Sequence, residues 1–499
     1  MRKPEQTVSK LCFRADRRHA SNRCLRVLIY AVACAAFTLA QLSCSRYWYA
    51  IHGKRVIVAP ETVPFRAGPY IQLNCASINN DAGRREYVIR WFDPVPVPES
   101  ALFFGADPDT TRMSRAPEKP GGDGRLHEVR LASLENGRRY YYAIPGFDDT
   151  VRSFQTDPGP GGKARMLCVG DTENTASDRE TMSYFGEVIA QAENFYRDNG
   201  GPVMMLHLGD LVKFGSDYRA WGSFFTDSGS FTGGAPAMFA LGNHEMKGDF
   251  GAHFDYFFSH PRYYSFDWGD AHVLVLHAFD GIFVSEDGPR VSSGMEQLRF
   301  AEQDLEKNRD RKWLIAAIHF PLFSTGDFNM NKMLIRQYRS LFKKYRVDLV
   351  LAGHDHSFDS FHADRDEPWG GTWYVVCGTG GSRLDGYVMT RNRNRWKEWS
   401  HDGNSSVGLY QDDDFTRENH VYGELSWGFV DLEISADELA VTYYRWLSFP
   451  DFLEATGQSA EKWDIVPLPS SAIKKYGLDR AMPVKRFTKR RSFQRDASR

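Results

Sequence analysis

The chain has 499 residues, 42% hydrophobic, 25% charged and 14% aromatic, a globular composition long enough for two or three domains and neither disordered nor collagen-like. Residues 1–26 carry eight basic and two acidic side chains and residues 474–499 carry ten and two, so the 447 residues between them hold −16 against −2 for the whole chain. An acidic body argues against a nucleic-acid partner and is compatible with bound divalent cations.

Val27–Cys44 is free of charge over 18 residues and follows Arg14, Arg17, Arg18, Arg23 and Arg26. Residues 1–44 therefore read as a basic n-region and an apolar signal or anchor segment, with everything beyond Cys44 exported. Membrane contact is expected through this segment only, with the basic tail as a second candidate. Cleavage, lipidation and retention all stay open. The exported part keeps Cys75, Cys168 and Cys377 in apolar runs, which read as buried thiols and not as a disulfide framework.

Short alternating runs at Tyr70–Cys75, Tyr87–Phe92, Ala101–Gly105, His127–Leu131 and Arg139–Ile144 predict a small all-β sandwich over 60–157. Asp157–Lys163 reads as a linker. From 163 to 447, apolar strands alternate with helical stripes at 178–197, 295–308 and 329–344, the pattern of an α/β domain. Segments 213–234, 279–293 and 387–425 are expected as loops that set the substrate. Residues 448–499 form a basic extension, expected to be disordered from about Ser470.

Five apolar strands each end before a metal-type side chain, four of them through a glycine. They are ARMLCVG-Asp171, PVMMLHLG-Asp210, PAMFALG-Asn243, KWLIAAI-His319 and VDLVLAG-His354-Asp-His356. Open α/β sheets bind ligands beyond the carboxyl ends of their strands, so these residues share one rim. They suffice for two metal sites with one shared carboxylate, and their mixed oxygen and nitrogen donors suit Fe, Mn or Zn better than calcium. Two cations about 4 Å apart clamp the attacking and leaving oxygens of an in-line displacement and make hydroxide available near neutral pH. An imidazole beside them has a pKa suited to general acid work. The glycine before four of these ligands is expected to let the chain turn off its strand.

The ensemble Gly-Asp, Gly-Asp, Gly-Asn-His-Glu, His and Gly-His-Asp-His resembles the calcineurin-like metallophosphoesterase superfamily over about residues 164–447. The stretches HEVRLASLENGRRYYYAI, SFQTDPGPG and YYSFDWGDAHVLVLHAFD resemble its purple acid phosphatase branch, in which a fibronectin-type-III-like domain precedes the catalytic one. The resemblance implies a four-layer α/β fold with two central sheets flanked by helices. It implies that Asp210 bridges two metal ions, that Asp171 and His356 bind the first, and that Asn243, His319 and His354 complete the second. It implies that His244 contacts phosphate and protonates the leaving group as a metal-bridging hydroxide attacks phosphorus.

One position departs from the branch. A tyrosine that gives the family its colour and helps hold ferric iron is replaced by Lys213, so no colour and no ferric ion are expected. Glu173 stands where the wider superfamily often has histidine, and reads either as an oxygen ligand, favouring Mn²⁺, or as a solvated loop residue. Lys213 reads either as a surface lysine or as a partner of substrate phosphate or Glu173. Glu245 is expected to orient His244, and His207 and His277 to pack or hydrogen-bond near the sheets. Three functions follow: a phosphomonoesterase of acid phosphatase type, a phosphodiesterase acting on nucleotides, lipids or wall polymers, or an inactive binding scaffold. Oligomeric state is not legible.

Overall fold

The computed structural model describes residues 65–490 apart from internal segments, the longer of which are 76–85, 176–182, 278–282, 326–333 and 385–417. The leader at 1–44, the last residues 491–499 and most of segment 387–425 lie outside the described residues. Among the described residues no helix is long and apolar enough to cross a membrane.

Described strands β1 (Ala67–Leu73), β2 (Tyr87–Phe92), β3 (Leu102–Gly105), β4 (Ser114–Ala116), β5 (Glu118–Pro120), β6 (Leu126–Leu131), β7 (Arg139–Ala143) and β8 (Arg152–Gln155) form two antiparallel sheets. Their orders are β1-β2-β6-β5 and β4-β3-β7-β8. Strand alternation points Ile71, Leu73, Ile89, Trp91, Tyr140 and Tyr142 into a shared core. On the opposite face Tyr70 and Phe92 join a second core with Trp221, Phe225 and Phe257. Both faces of the β1–β2 sheet are thus covered, and Tyr70 Oη donates to the Phe257 carbonyl at 2.6 Å. The linker is pinned as well. Asp157 N–H donates to Tyr87 Oη at 2.8 Å, and Gly161 N–H donates to Asp270 Oδ2 at 3.0 Å.

The chain continues through β9 (Ala164–Val169), α1 (Phe185–Asn199), β10 (Val203–His207), α2 (Tyr218–Gly234), β11 (Ala237–Phe239), α3 (Ala252–Phe257), β12 (Tyr264–Trp268) and β13 (Ala271–Leu276). Next come a pair of short strands, β14 (Phe283–Ser285) and β15 (Gly288–Arg290), then α4 (Met295–Lys307), β16 (Trp313–Ile318), a π-helical turn at Ile335–Arg339, α5 (Ser340–Tyr345), β17 (Leu349–Ala352), β18 (Phe358–Ala363) and β19 (Thr372–Cys377). The last elements are β20 (His420–Glu424), β21 (Ser426–Ile434), β22 (Glu438–Ser448), α6 (Phe449–Thr456), α7 (Ser470–Tyr476) and β23 (Met482–Arg490). The described strands form two central sheets, ordered β11-β10-β9-β21-β22-β23 and β12-β13-β16-β17-β19-β18-β20.

Period-two alternation builds the layers. Met166, Cys168, Met204, Leu206, Val273, Val275, Ile315, Ala317, Leu349 and Leu351 fill the space between the sheets. Their neighbours Leu167, Val169 and Met205 pack on residues of α1 and α2. Leu274, Leu276, Leu314, Ala316 and Ile318 pack on residues of α4 and α5. The order is helix, sheet, sheet, helix. Cys75, Cys168 and Cys377 are buried free thiols, as their apolar runs predict.

Three sequence expectations fail. Segment 213–234 is not a loop, because residues 218–234 are helix α2. Its Gly, Ser and Thr content hides a stripe of buried Trp221, Phe224, Phe225 and Phe231, and Asp217 caps it by accepting Arg219 N–H. At roughly 1.5–3 kcal/mol per large side chain buried, that stripe outweighs the ~1 kcal/mol cost of each interior glycine. Gly222 also has a reason to be glycine, since a Cβ there would lie 2.8 Å from the Phe65 ring. In segment 387–425, His420–Glu424 is strand β20, paired with β18.

The third failure is the tail. The proposed boundary at 447 falls inside β22, and β23 extends the same sheet to Arg490. The basic side chains expected to be free are mostly paired. Lys475 meets Glu454 and Arg490 meets Glu438, both at 2.7 Å, Arg486 meets Glu433, and Lys489 meets the buried Asp348 at 2.8 Å. Sequence charge alone does not show these acidic partners, which lie 21 to 141 residues away.

Candidate metal centre

The five strand-end motifs converge. β9, β10 and β11 are adjacent and parallel in one sheet, and β16 and β17 are adjacent and parallel in the other. Their carboxyl ends open on one rim, as expected for α/β sheets. Backbone bonds zip the loops that follow. Asp171 N–H donates to Gly209 O at 3.0 Å, Glu173 N–H to Asp210 O at 2.9 Å, and Gly353 N–H to His319 O at 3.0 Å.

The backbone at the rim is strained where the candidate ligands sit. Asp171 (φ 59°), Glu173 (41°), Asp210 (54°) and His354 (72°) all occupy the left-handed region, a cost of roughly 1–3 kcal/mol each that persists only where surroundings enforce it. The preceding glycines were expected to supply the turn. Only Gly209 of the four Gly-before-ligand positions has positive φ. Gly242 and Gly353 are glycine for lack of room, because a Cβ would come within 2.2 Å of Asp210 Oδ1 or 2.4 Å of Asp171 Oδ2. The ligand residues themselves make the turn.

Asp210 is the centre of the arrangement. Its Oδ2 lies 3.2 Å from His319 Nε2 and 3.8 Å from His244 Nε2, and its Oδ1 accepts His244 N–H at 2.7 Å. Ligand atoms of Asp210, His319 and His354 lie within 4.8 Å of one another, as do those of Glu173, Asp210 and His244. His319 Nδ1 faces the Leu208 carbonyl at 2.8 Å, which assigns the proton to Nδ1 and leaves a lone pair on Nε2. That lone pair meets Asn243 Oδ1 at 3.1 Å and Asp210 Oδ2. Two oxygens and this nitrogen then face one another, which needs a positive charge between them, either a proton on Nε2 or a metal ion. The electrostatics agree. Burial opposes a proton on His319, yet the charges of Asp210 and Asp171 push its pKa up to about 9.

His356 Nδ1 is held by the Arg383 carbonyl at 2.6 Å, and its Nε2 lies 3.5 Å from Asp171 Oδ1. Asp171 Oδ2 accepts His354 N–H at 2.8 Å. Asp171 Oδ1 and Asp210 Oδ2 are buried and accept no geometrically sound hydrogen bond among the described residues. Buried carboxylate oxygens in that state are costly unless a cation meets them. The donor set therefore fits metal ions.

Glu173 is not a solvated loop residue. It is 4% exposed, its Oε2 pairs with Lys213 Nζ, and its Oε1 lies 2.9 Å from His244 Nε2. Burial would raise its pKa, but His244 and Lys213 hold it well below the carboxylate range. Lys213 is likewise tied into the site. Glu245 does not orient the imidazole. Its Oε2 accepts N–H from Asp210 at 2.9 Å and Gly242 at 2.8 Å, and its Oε1 accepts N–H from Leu211 at 2.7 Å and Val212 at 3.2 Å. The imidazole is set instead by Lys213 O, 2.9 Å from His244 Nδ1. His207 accepts Gly209 N–H at 3.2 Å and lies 3.2 Å from Thr172 Oγ1, a supporting role of the kind expected. His277 N–H donates to Gln297. Lys247 escaped sequence reading. Its Nζ lies 2.6 Å from His244 Nε2, and no ligand spacing rule points to a lysine.

Comparison with known proteins bears on the domain that carries this rim. Residues 164–358 match the family model of the calcineurin-like phosphoesterases. Phosphoenolpyruvate phosphatase of Allium cepa is 24% identical over 315 residues, covering 56% of this chain and 60% of that protein. Purple acid phosphatase 23 of Arabidopsis thaliana is 28% identical over 303 residues, covering 52% and 63%. The matched part thus spans less than two thirds of these relatives. A purple acid phosphatase structure from yellow lupin (Lupinus luteus) seeds aligns with a TM-score of 0.59 at 17% identity, over 76% of this chain and 72% of that one. Residues 164–358 thus form a domain that matches the calcineurin-like phosphoesterase model, and the architecture matches the purple acid phosphatase fold.

Proposed function

We propose that this protein is an exported, binuclear metal-dependent hydrolase of phosphate esters, acting on monoesters. The carrying observation is the convergence of Asp210 Oδ2, His319 Nε2 and Asn243 Oδ1 at one rim, beside buried carboxylate oxygens of Asp171 and Asp210 that accept no hydrogen bond among the described residues. Asp171, Asp210 and His356 would hold one ion, with Glu173 as a further oxygen donor. Asp210, Asn243, His319 and His354 would hold the other. When bound, two ions of the Fe, Mn or Zn class supply the Lewis acidity for attack of water on phosphorus.

The chain's own residues do the rest. His244 is anchored through Nδ1 to Lys213 O, so its Nε2 is presented at the rim. There it holds a proton for the departing ester oxygen. Glu173, kept ionised by its partners, lies 2.9 Å from that nitrogen and stabilises the proton before transfer. The Allium cepa relative is named for a phosphate monoester, which supports the monoester reading. The uncharged 27–44 segment after its arginines supports export. The sandwich over 60–157 is read as the fibronectin-type-III-like domain of the branch, joined without a free hinge.

The test is metal content together with hydrolysis of p-nitrophenyl phosphate and bis(p-nitrophenyl) phosphate, after loading with Mn²⁺, Zn²⁺ or Fe. About two metals per chain with monoester turnover is expected. Asp210→Asn should abolish turnover while circular dichroism shows an intact fold. No metal under any loading condition overturns the proposal.

A further inference from the structure

Two ammonium groups converge on one imidazole at the rim. Lys213 Nζ is engaged by Glu173 Oε2. Lys247 differs. Its Nζ lies 2.6 Å from His244 Nε2, and among the described residues no carboxylate lies within ion-pair distance of it. It is half-buried, and its Nζ lies 5.9 Å from the Phe214 ring centroid. Its backbone is fixed on both sides. Lys247 N–H donates to His244 O at 3.1 Å, and its carbonyl accepts Ser216 N–H at 3.1 Å. As placed, the ammonium donates to an unprotonated His244 Nε2, so when that nitrogen carries the proton for the leaving group the cation must turn to another acceptor.

Such a placement is costly. Burial pulls the Lys247 pKa below the ordinary lysine value against the attraction of Asp210 and Glu173. An anion arriving at His244 Nε2 would relieve that cost, because any oxygen bonded to Nε2 lies within reach of an ammonium 2.6 Å from the same atom.

We infer that Lys247 engages the second negative charge of a phosphomonoester dianion and makes the site selective for monoesters over diesters. The inference rests on the phosphatase reading above. A monoester dianion carries two charges on three terminal oxygens. A diester carries one charge on two, and its second alkyl group occupies the position an ammonium would take. Lys213 does not serve the same purpose, because Glu173 already neutralises it.

The experiment uses the full chain loaded with Mn²⁺. It compares kcat/KM for p-nitrophenyl phosphate and bis(p-nitrophenyl) phosphate, and competitive inhibition by inorganic phosphate, in the native protein, Lys247→Gln and Lys247→Arg. Lys247→Gln should lower monoester kcat/KM and phosphate affinity by roughly 10–100-fold, the worth of a hydrogen bond to a charged group. Diester kcat/KM should change less than about threefold, metal content should stay the same, and Lys247→Arg should restore most of the loss. Equal losses on both esters, or an unchanged monoester-to-diester ratio in Lys247→Gln, overturn the inference alone. Native protein that hydrolyses neither ester overturns the phosphatase reading and this inference with it.

Discussion

Glu245 Oε2 accepts the backbone N–H of Asp210 at 2.9 Å, holding the central carboxylate of the site through its main chain and not its side chain. The same buried carboxylate collects N–H groups from Leu211, Val212 and Gly242, and so spans the loops after β10 and β11. Burial and the Asp210 charge push its pKa up, and the N–H donors oppose them. Glu245→Ala leaves those N–H groups buried without acceptors, each worth about 1–3 kcal/mol. Urea unfolding should show a loss of roughly 3 kcal/mol or more, and metal affinity should fall with it. Stability within about 0.5 kcal/mol of the native protein, the range of an ordinary surface substitution, would show that the loops stand without this clamp.

Gly353 has no room for a methyl group, since Asp171 Oδ2 would lie 2.4 Å from it. Gly353→Ala should therefore displace Asp171 while leaving the core sheets intact. Elemental analysis should find reduced metal content, and far-ultraviolet circular dichroism should be unchanged. Full metal occupancy would mean that Asp171 relaxes without cost or binds no metal.

His272 sits between two carboxylates, with Nδ1 2.7 Å from Asp267 Oδ1 and Nε2 2.8 Å from Asp304 Oδ2. Arg311 also pairs with Asp267, and Ser265 donates to Asp304. Burial would lower the His272 pKa, but the two carboxylates raise it above the ordinary imidazole value. A raised folded-state pKa contributes stability that is fully present below the unfolded value and lost as pH rises through the folded one. Denaturation midpoints should therefore fall as pH rises past neutrality. His272→Gln should remove that part of the slope and cost roughly 3–5 kcal/mol at acidic pH, where the imidazolium is formed. A mutant with the native slope would place the titration elsewhere.

Lys489 anchors the last strand. Its Nζ meets Asp348 Oδ1 at 2.8 Å, donates to Gly371 O at 2.6 Å and lies 4.4 Å from the Trp369 ring centroid. Asp348 is fully buried, and its Oδ2 accepts Leu314 N–H at 2.9 Å. Lys489→Met strands a buried carboxylate at a cost of roughly 3–5 kcal/mol. Thermal unfolding should report the loss, and proteolysis should release the segment after Ser448. Replacing Lys489 and Asp348 together, with Met and Asn, should recover part of it.

The centre was legible because its signals are local. An apolar strand, the glycine that ends four of the five runs and the candidate ligand that follows lie close together in sequence, and the five runs can be ordered without coordinates. The sandwich strands were legible for the same reason. Helix α2 was not, because Gly, Ser and Thr obscured an aromatic stripe whose burial depends on Tyr70 and Phe92 of the sandwich.

What the sequence determined alone is the inventory of candidate ligand side chains and their arrangement at strand ends. The tertiary structure alone decided what holds those ligands and what neighbours them. Glu245 became a backbone clamp, Gly242 and Gly353 proved to be clearances for carboxylates, Lys247 came to rest on His244, and the basic tail became an edge strand. Each outcome depends on contacts between loops or strands whose approach is set by packing two sheets face to face. No periodicity or spacing within one segment carries that distance.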